Sequence, residues 1–415
     1  MDFRPSALAA SLLLLASPAA VAGTIRVPTE DHPTIQSGID AAAEGDTVLV
    51  APGNYAESAT IIERSRLRIR GLPGAVVDSG SIIVLNSDRI TVEGLTFVNA
   101  SDNPSAVIAS LSSGVTLKKL TVEGYFGDGI RLVYCQAPRV TACTVTSSIG
   151  GGLRDVDSAD LVVEKCVFTD LDGLAVALSS GEGNGSARAR VSKCLITSGS
   201  GGIAGEGEGL RIEGNTVTLQ AGDGIVLGVA TEIPGALVQG NTVQTSGFGF
   251  RAVDVRGTLS TVARNTVTGA VGVGVFVLGD GNRIERNRVT GAVQCFNLLR
   301  NDMVITGNVA TGPLDYGFLV QQGSRASISR NRVLDGGDSS GFQVTQQDVL
   351  ITRNYVEGAY NAFNLLFGPM TLVGNVAVGS TNADLTTHQP ASQFTLIKNK
   401  FDVVLFDVPE EGPPI

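Results

Sequence analysis

The chain has 415 residues, a formal net charge of −10 and a hydrophobic fraction of 43%. Its positive mean hydropathy and low content of charged residues, 17%, exclude a disordered chain. The acidic balance argues against a nucleic-acid-binding protein, which needs a basic surface.

Residues 1–22 have the pattern of a secretory signal peptide. Arg4 precedes a short apolar run at 7–16, and small residues at 20–22 form a cleavage site before Gly23. No run in the chain approaches the ~18 apolar residues that a membrane-spanning helix requires. We therefore expect a mature protein that begins at Gly23, is secreted or periplasmic, and has no membrane span.

Residues 23–58 are predicted to form an N-terminal cap and a first coil. A short amphipathic helix is expected over residues 31–43, with Asp31 or His32 as its N-cap and Gly45 as its stop signal. Such a helix would cover the apolar open end of a solenoid, which otherwise attracts other chains.

Residues 59–406 repeat a unit in which an apolar residue is followed by Asn after three positions and by a second apolar residue after five, as at Ile284, Asn287 and Val289. The unit returns every ~23 residues, and short alternating segments between turn residues read as strands. The ladder positions are Leu95, Leu120, Cys143, Cys166, Cys194, Asn215, Asn241, Asn265, Asn287, Asn308, Asn331, Asn354, Asn375 and Asn399. The pattern predicts an all-β chain, a single-stranded parallel β-helix solenoid of about 14 coils, followed by a loose tail at 407–415.

Two inward columns are expected in this solenoid. Each ladder Asn should bond backbone groups and the Asn of the next coil, and should tolerate a left-handed bend. A second column, which ends in a stack of phenylalanines, should lie on the strand that opens with Gly in each coil. Its members are Ile130, Leu153, Leu174, Ile203, Ile225, Phe250, Val275, Phe296, Phe318, Phe342 and Phe363.

The five cysteines give an odd count for an exported chain, so at least one is unpaired. Cys143, Cys166 and Cys194 are expected to be small buried fillers of the ladder, and one disulfide between neighbouring coils stays open as an alternative. No His lies near them, which disfavours a metal site, and we expect no cofactor.

The N-terminal segment resembles a known family. The runs Ile25-Arg26-Val27-Pro28, Gly45-Asp46-Thr47-Val48 and Pro52-Gly53-Asn54-Tyr55 are similar to the cap of pectin-lyase-like right-handed β-helix proteins. The later coils are similar to the carbohydrate-binding and sugar-hydrolase repeat class. This resemblance implies a right-handed parallel β-helix, a fold that hosts lyases, hydrolases, esterases, epimerases, adhesins and a periplasmic copper-site assembly factor.

Most catalytic patterns of that family are missing. The only histidines, His32 and His388, do not lie between glycines as the pectin hydrolases require. Tyr316-Gly317 begins an epimerase-like motif, but Leu319 and Val320 follow where an acid and a His are needed. We find no esterase context and no metal-ligand cluster of the kind that metal-protein assembly requires.

A polysaccharide lyase has simpler requirements, namely neutralisation of a uronate carboxylate, often by Ca²⁺, and a Lys or Arg base. Asp128, Arg131, Arg154 and Asp172 are candidate catalytic residues on outward positions of three successive coils, with Asp155 and Asp157 close by in sequence. Ca²⁺ is expected only in this alternative. A ladder of compensating surface charges explains the same residues.

Two further surface patterns accompany the repeat. Basic residues often stand just before the ladder position, which indicates either a solubilising stripe or a track for an anionic polymer. Amides and a tyrosine dominate the outward positions of the C-terminal coils, and such side chains suit sugar hydroxyls. The candidate binding residues are Gln294, Asn297, Tyr316, Gln321, Gln343 and Asn364, accompanied by Ser340, Thr345 and Asn361.

Together these patterns favour an exported, non-catalytic β-helix that binds a polysaccharide or cell-surface glycan or serves as a surface or structural module. The alternative is a lyase that acts on a uronate-containing polymer.

Overall fold

Asparagine side chains join successive coils of the chain along one corner. The computed structural model describes residues 22–98, 105–179, 181, 185–230, 232–246, 251–269 and 272–408. The Asn287 side-chain Nδ2 donates to Val262 O at 2.8 Å and to Asn308 Oδ1 at 3.0 Å. The Asn287 backbone N–H also donates to Asn308 Oδ1, at 2.9 Å. The same three bonds recur at every ladder asparagine from Asn215 to Asn375, which confirms the predicted ladder.

The expectation that these asparagines adopt the left-handed conformation is wrong. The residue before each ladder position has the positive φ, for example Arg286 at 55° and Gly307 at 68°. The bend therefore precedes the asparagine, whose own backbone continues into the next strand. Where the preceding residue is basic, as at Lys193 and Arg330, its side chain points into solvent and forms the predicted basic stripe.

Between these corners the chain forms three parallel sheets, visited in the order A, B, C in each coil from Thr47–Val50 to Ala383–Thr387. Sheet A contains Thr24–Val27, Thr47–Val50, Arg68–Gly71, Thr91–Glu93, Thr116–Lys118, Arg139–Thr141, Val162–Glu164, Arg190–Ser192, Arg211–Glu213, Leu237–Gln239, Thr261–Ala263, Arg283–Glu285, Val304–Thr306, Ser327–Ser329, Val349–Thr352, Met370–Val373 and Phe394–Ile397. Sheet B contains Gly53–Tyr55, Ala75–Asp78, Thr96–Val98, Thr121–Glu123, Thr144–Thr146, Val167–Thr169, Leu195–Ser198, Thr216–Leu219, Thr242–Thr245, Thr266–Thr268, Arg288–Thr290, Val309–Thr311, Arg332–Leu334, Tyr355–Glu357 and Val376–Val378. Sheet C contains Ala59–Ile62, Ile82–Leu85, Val107–Ser110, Ile130–Val133, Leu153–Val156, Val176–Ser179, Ile203–Gly205, Ile225–Leu227, Arg251–Arg256, Val273–Leu278, Gln294–Leu299, Tyr316–Gln321, Ser340–Val344, Asn361–Leu365, Ala383–Thr387 and Val404–Leu405.

The chain forms a right-handed parallel β-helix, as expected, but with about 16 turns rather than 14. The ladder pattern begins only at Leu95, so it misses the earlier coils. Pro52 and Pro73 occupy the corresponding corner in those coils and hide the repeat.

Apolar columns from the three sheets fill the interior. Phe296, Phe318, Phe342 and Phe363 stack with ring centroids 4.5, 4.7 and 5.1 Å apart and nearly parallel planes, which confirms the phenylalanine stack. Leu174 was wrongly placed in this column, because it lies in a turn with 36% of its surface exposed. Val176 pairs with Leu153 instead, since Ala175 takes the place that glycine holds in other coils.

The position expected for Phe250 lies outside the described residues. Val253 occupies that level of the column, between Ile225 and Val275.

A single short α-helix covers the N-terminal end of the solenoid, as expected for a cap. It spans Ile35–Ala41 and buries Ile35 and Ile39. Its N-cap is Thr34 rather than Asp31 or His32, because Thr34 and Ser37 form a reciprocal capping box that starts the helix after Pro33. A short 3₁₀ helix at Ala391–Gln393 leads into the last strand of sheet A.

All five cysteines are buried and unpaired, which confirms that Cys143, Cys166 and Cys194 are buried fillers of the ladder and leaves the disulfide alternative without support. Cys166 Sγ lies 3.5 Å from both Val140 O and Glu164 O, so the thiol takes the place of an asparagine amide beside the same kind of backbone carbonyls. Burial raises the pKa of the Cys295 thiol to about 12.

No helix among the described residues is long and apolar enough to cross a membrane. Nearly all of the proposed signal peptide at 1–22, and the tail beyond Val408, lie outside the described residues. Val404–Leu405 forms the last strand of sheet C and pairs with Ala383–Thr387.

Replacing Asn287 by Leu should lower the free energy of unfolding by ~1–3 kcal/mol, because buried backbone and amide groups in two coils lose their partners. Urea and thermal unfolding measure the loss. Gln244→Leu is the matched control, since Gln244 is exposed on sheet B. Equal stability of the Asn287 variant and the wild type would show that the ladder bonds contribute nothing.

Candidate functional site

The outward face of sheet C is widest in the C-terminal half of the solenoid. Upstream strands have three or four residues, but the four strands from Arg251–Arg256 to Tyr316–Gln321 have six. The longer strands bend at a small residue that separates two outward positions. A Cβ added to Gly317 would lie 2.6 Å from Gly341 O, so the bend requires glycine there.

This bend places two columns of outward side chains on sheet C, all of them polar except Leu319, which is 7% exposed. Gln294, Tyr316, Ser340 and Asn361 pair across neighbouring strands in one column. Asn297, Leu319, Gln343 and Asn364 pair in the other. Gln321 lies at the far end of its strand, opposite Leu299. We call the group Gln294, Asn297, Tyr316, Gln321, Gln343 and Asn364 the amide surface.

The amides of this surface orient one another by hydrogen bonds. Asn297 Nδ2 donates to Gln294 Oε1 at 2.7 Å, and Gln321 Nε2 donates to Asn297 Oδ1 at 3.1 Å. Asn364 Nδ2 donates to Gln343 Oε1 at 3.3 Å. All of these side chains are half-buried, so their rotamers are constrained while their remaining donors and acceptors face solvent.

Tyr316 is the aromatic member of the amide surface. Burial and the neighbouring Asp315 raise the pKa of its phenol, and a hydrogen bond with Gln343 only partly offsets this. The phenol is therefore neutral at physiological pH and able to donate a hydrogen bond.

A charged cluster borders the amide surface on the N-terminal side. Asp254 is nearly fully buried and accepts from Arg251 Nη1 at 2.6 Å and from Arg256 Nη2 at 3.0 Å. The Arg251 guanidinium lies 3.9 Å from the centroid of the Phe276 ring. Sequence reasoning missed this cluster, because Arg251 and Asp254 are three residues apart and strict alternation puts them on opposite faces.

The proposed lyase residues come together only in part. Asp128 Oδ2 accepts from Arg154 Nε at 2.7 Å, and Asp128 Oδ1 accepts from Gly151 N at 3.1 Å. Arg131 and Arg154 are cross-strand neighbours in sheet C. Asp128 and Asp172 both lie in turns, but Asp128 is two residues before Ile130–Val133 whereas Asp172 is four residues before Val176–Ser179, so the two carboxylates are not in register. Asp128, Arg131 and Arg154 therefore form one group from which Asp172 is separate.

This group has few features of a cation site. The Asp128 carboxylate is already bonded to a guanidinium and a backbone N–H, whereas Ca²⁺ needs six to eight oxygen ligands. The described residues contain no group of three or more His, Cys, Asp or Glu that could hold a metal ion.

The comparisons with known proteins identify the family. The profile described as "Right handed beta helix region" matches residues 53–217, 136–289 and 249–401. The chain belongs to the right-handed β-helix family. No curated protein matches this β-helix protein.

Solved structures are similar to it at low sequence identity. A mannuronic-acid-specific polysaccharide family 6 lyase from the human gut microbiota is 12% identical, with 86% of each chain covered and a TM-score of 0.48. The tailspike of E. coli bacteriophage HK620, solved with a hexasaccharide, is 12% identical, with coverage of 93% of this chain and 71% of that chain and a TM-score of 0.46. A Geobacillus virus E2 protein is 10% identical, and the match covers 64% of this chain but only 61% of that one, with a TM-score of 0.47. These similarities say nothing about what this β-helix protein binds.

Asp155 lies inside the β-helix and not at the surface beside Asp157. It pairs with Leu132 and Leu178 in an inward column and is fully buried, because strand alternation from the outward Arg154 turns it to the core. Burial raises the pKa of Asp155, while hydrogen bonds from Ser158 and Ser186 act in the opposite direction.

Because the pKa of Asp155 is raised in the folded state, the free energy of unfolding depends on pH. The folded state holds this proton more tightly than the unfolded state, so the stabilisation is complete below the unfolded pKa of ~3.9 and is lost as pH rises through the folded value. Asp155→Asn cannot ionise, so its melting temperature relative to wild type should rise between about pH 4 and neutral pH. Thermal unfolding of both proteins across this range measures the difference between their melting temperatures. The effects of all other titrating groups cancel in that difference. A difference that stays constant with pH would contradict the assignment.

Proposed function

We propose that this β-helix protein is exported and binds a glycan on the amide surface without cleaving it. The observation that carries the proposal is a set of mutually hydrogen-bonded amides with Tyr316, spread over four adjacent coils. Amides both donate and accept hydrogen bonds, as sugar hydroxyls do, and an aromatic ring offers a face to the apolar side of a sugar.

The arrangement suits a polymer. Coils repeat at ~4.8 Å, so three of the four strands present a similar pair of polar groups along the solenoid axis, and the strand of Tyr316 presents Tyr316 with Leu319. The hydrogen bonds among Gln294, Asn297 and Gln321 hold three of these groups in place before any ligand arrives. Such preorganisation reduces the entropy lost on binding.

The chemistry of the surface favours binding over catalysis and a neutral stretch of glycan over an acidic one. Its six members carry no charge at neutral pH. Two ionisable groups adjoin it, namely Asp315, which is exposed and precedes Tyr316, and His388, whose Nε2 lies 3.2 Å from Asn364 Oδ1. Asp315 precedes the strand Tyr316–Gln321 and His388 follows the strand Ala383–Thr387, three coils further along sheet C, so they do not form a paired acid and base across one bond.

Glycan binding should weaken about tenfold in Tyr316→Ala and in Gln343→Ala, since each loses one to two hydrogen bonds or a ring contact worth ~1.4 kcal/mol. A glycan array would identify the ligand, and calorimetry would then measure the dissociation constants. Gln244→Ala, on sheet B, is the matched control and should bind like wild type. If the array shows no bound glycan, or if Gln244→Ala loses as much affinity as the other variants, glycan binding on the amide surface is excluded. The protein would then be a surface or structural module.

The lyase alternative rests on the side-by-side Arg131 and Arg154 with Asp128. Under this alternative, uronate oligomers with Ca²⁺ should raise the melting temperature of the wild type by mass action. The shift should vanish in the Arg131→Ala, Arg154→Ala double variant, and an absorbance assay should detect unsaturated uronate products. A wild type that shows neither shift nor product excludes this alternative, and Asp172→Ala tests whether the separate carboxylate takes part.

A further inference from the structure

A chain of hydrogen bonds crosses the C-terminal half of the amide surface. His388 Nε2 lies 3.2 Å from Asn364 Oδ1, and Asn364 Nδ2 donates to Gln343 Oε1 at 3.3 Å. Because the Gln343 oxygen is occupied in this way, the Gln343 amide nitrogen forms the hydrogen bond with the Tyr316 phenol. The four side chains come from four successive coils of sheet C, so they form one connected row.

His388 sets the direction of this row. Its Nδ1 is buried and has no hydrogen-bond partner among the described residues. A buried N–H without an acceptor is tolerated less well than a buried acceptor without a donor, so the neutral ring carries its proton on Nε2. Nε2 then donates to Asn364, Asn364 donates to Gln343, and Gln343 donates to the phenol oxygen of Tyr316. The Tyr316 O–H is left to donate to a ligand.

A second row of hydrogen bonds, in the N-terminal half of the amide surface, ends on a carboxylate. Gln321 Nε2 donates to Asn297 Oδ1 at 3.1 Å, and Asn297 Nδ2 donates to Gln294 Oε1 at 2.7 Å. Burial raises the pKa of Asp315, and a hydrogen bond from Gln294 opposes that rise. A carboxylate only accepts hydrogen bonds, so Asp315 fixes the direction of the second row as His388 fixes that of the first.

Three different chemical groups therefore adjoin one another around Tyr316. The Tyr316 O–H is a donor, the oxygens of the preceding Asp315 are acceptors, and Leu319, 7% exposed, is an apolar side chain on the same strand. An acetamido group presents the complementary set, namely a carbonyl oxygen that accepts, an N–H that donates and a methyl group. A sugar hydroxyl has no apolar part to contact Leu319, and an anionic substituent would be repelled by Asp315.

We propose that the amide surface selects acetamido sugars, and that His388 positions Tyr316 as a donor to the acetamido carbonyl. This inference rests on the proposed glycan binding and narrows the ligand to neutral glycans that carry N-acetylated sugars. Tyr316, Asp315 and Leu319 contact the acetamido group. His388 does not touch the ligand, since it acts through Asn364 and Gln343, and it is a positioning residue.

A glycan array tests the selection when its glycans are compared in pairs that differ only by an acetamido or a hydroxyl group on the same carbon. Chitin and cellulose oligosaccharides are one such pair. The acetamido member should bind about tenfold more tightly, because it gains one to two hydrogen bonds and a methyl contact. Equal or tighter binding of the hydroxyl members would overturn the selection and leave glycan binding intact, whereas an array without any bound glycan would remove both.

Tyr316→Phe tests the donor, because it keeps the ring and removes the O–H. Affinity for the acetamido glycan should fall about tenfold, and affinity for the hydroxyl counterpart should fall less, so the ratio of the two dissociation constants measured by calorimetry approaches one. Tyr134→Phe is the matched control, since Tyr134 is 42% exposed in the turn after Ile130–Val133, and it should keep the wild-type ratio. A wild-type ratio in Tyr316→Phe would contradict the role of the phenol.

Two substitutions of equal size test His388 as a positioning residue. His388→Gln keeps an N–H that can donate to Asn364, whereas His388→Glu offers only acceptor oxygens at neutral pH. The Asn364 and Gln343 amides must then turn over, and Tyr316 donates to Gln343 instead of the ligand. The acetamido preference should therefore persist in His388→Gln and fall about tenfold in His388→Glu.

Equal preferences in the two folded variants would overturn the role of His388, because a purely structural residue would lower the affinity for both members of a glycan pair alike. Thermal unfolding shows whether each variant is folded. If His388→Glu does not fold, Asn364→Asp takes its place, since it still accepts from His388 but cannot donate to Gln343. Asn364→Asp should likewise lose the acetamido preference, and a retained preference would overturn the proposal.

Discussion

Amide hydrogen bonds between successive asparagines set the geometry on which the rest of the β-helix depends. Each ladder asparagine uses its side chain to fix the height of the next coil, through bonds of 2.9–3.0 Å such as those from Asn287 to Asn308. The bonds leave no freedom to slip by a residue, which would turn every inward side chain outward. Straight columns such as the four stacked phenylalanines follow from that fixed register, and so do the straight columns on the surface.

Periodicity was enough to predict the features that repeat in every coil. The asparagine ladder, the phenylalanine stack and the buried thiols each result from one local pattern placed at one position of a coil, so a single sequence reveals them. The errors arose where a coil departs from the pattern. Pro52 and Pro73 replace the ladder corner in the early coils, and Ala175 replaces the glycine that marks the start of a sheet C strand. That second substitution misplaced Leu174 and, with it, the position assigned to Asp172.

The sequence predicts that the side chains of the candidate site point outward, but it does not predict how they are spaced on the surface. The sequence placed Gln294, Asn297 and Gln343 outward, and they do share one surface. Their spacing of three residues within a strand departs from the period of two that a regular strand requires. A bend after the first outward residue accounts for it. In two coils the residue at the bend is a glycine, Gly317 or Gly341, where the backbone approaches too closely for a side chain, and in the coil of Gln294 it is Cys295. The same bend brings Arg251 and Asp254 to one face, so both the amide surface and its charged border depend on small residues that carry no chemistry themselves.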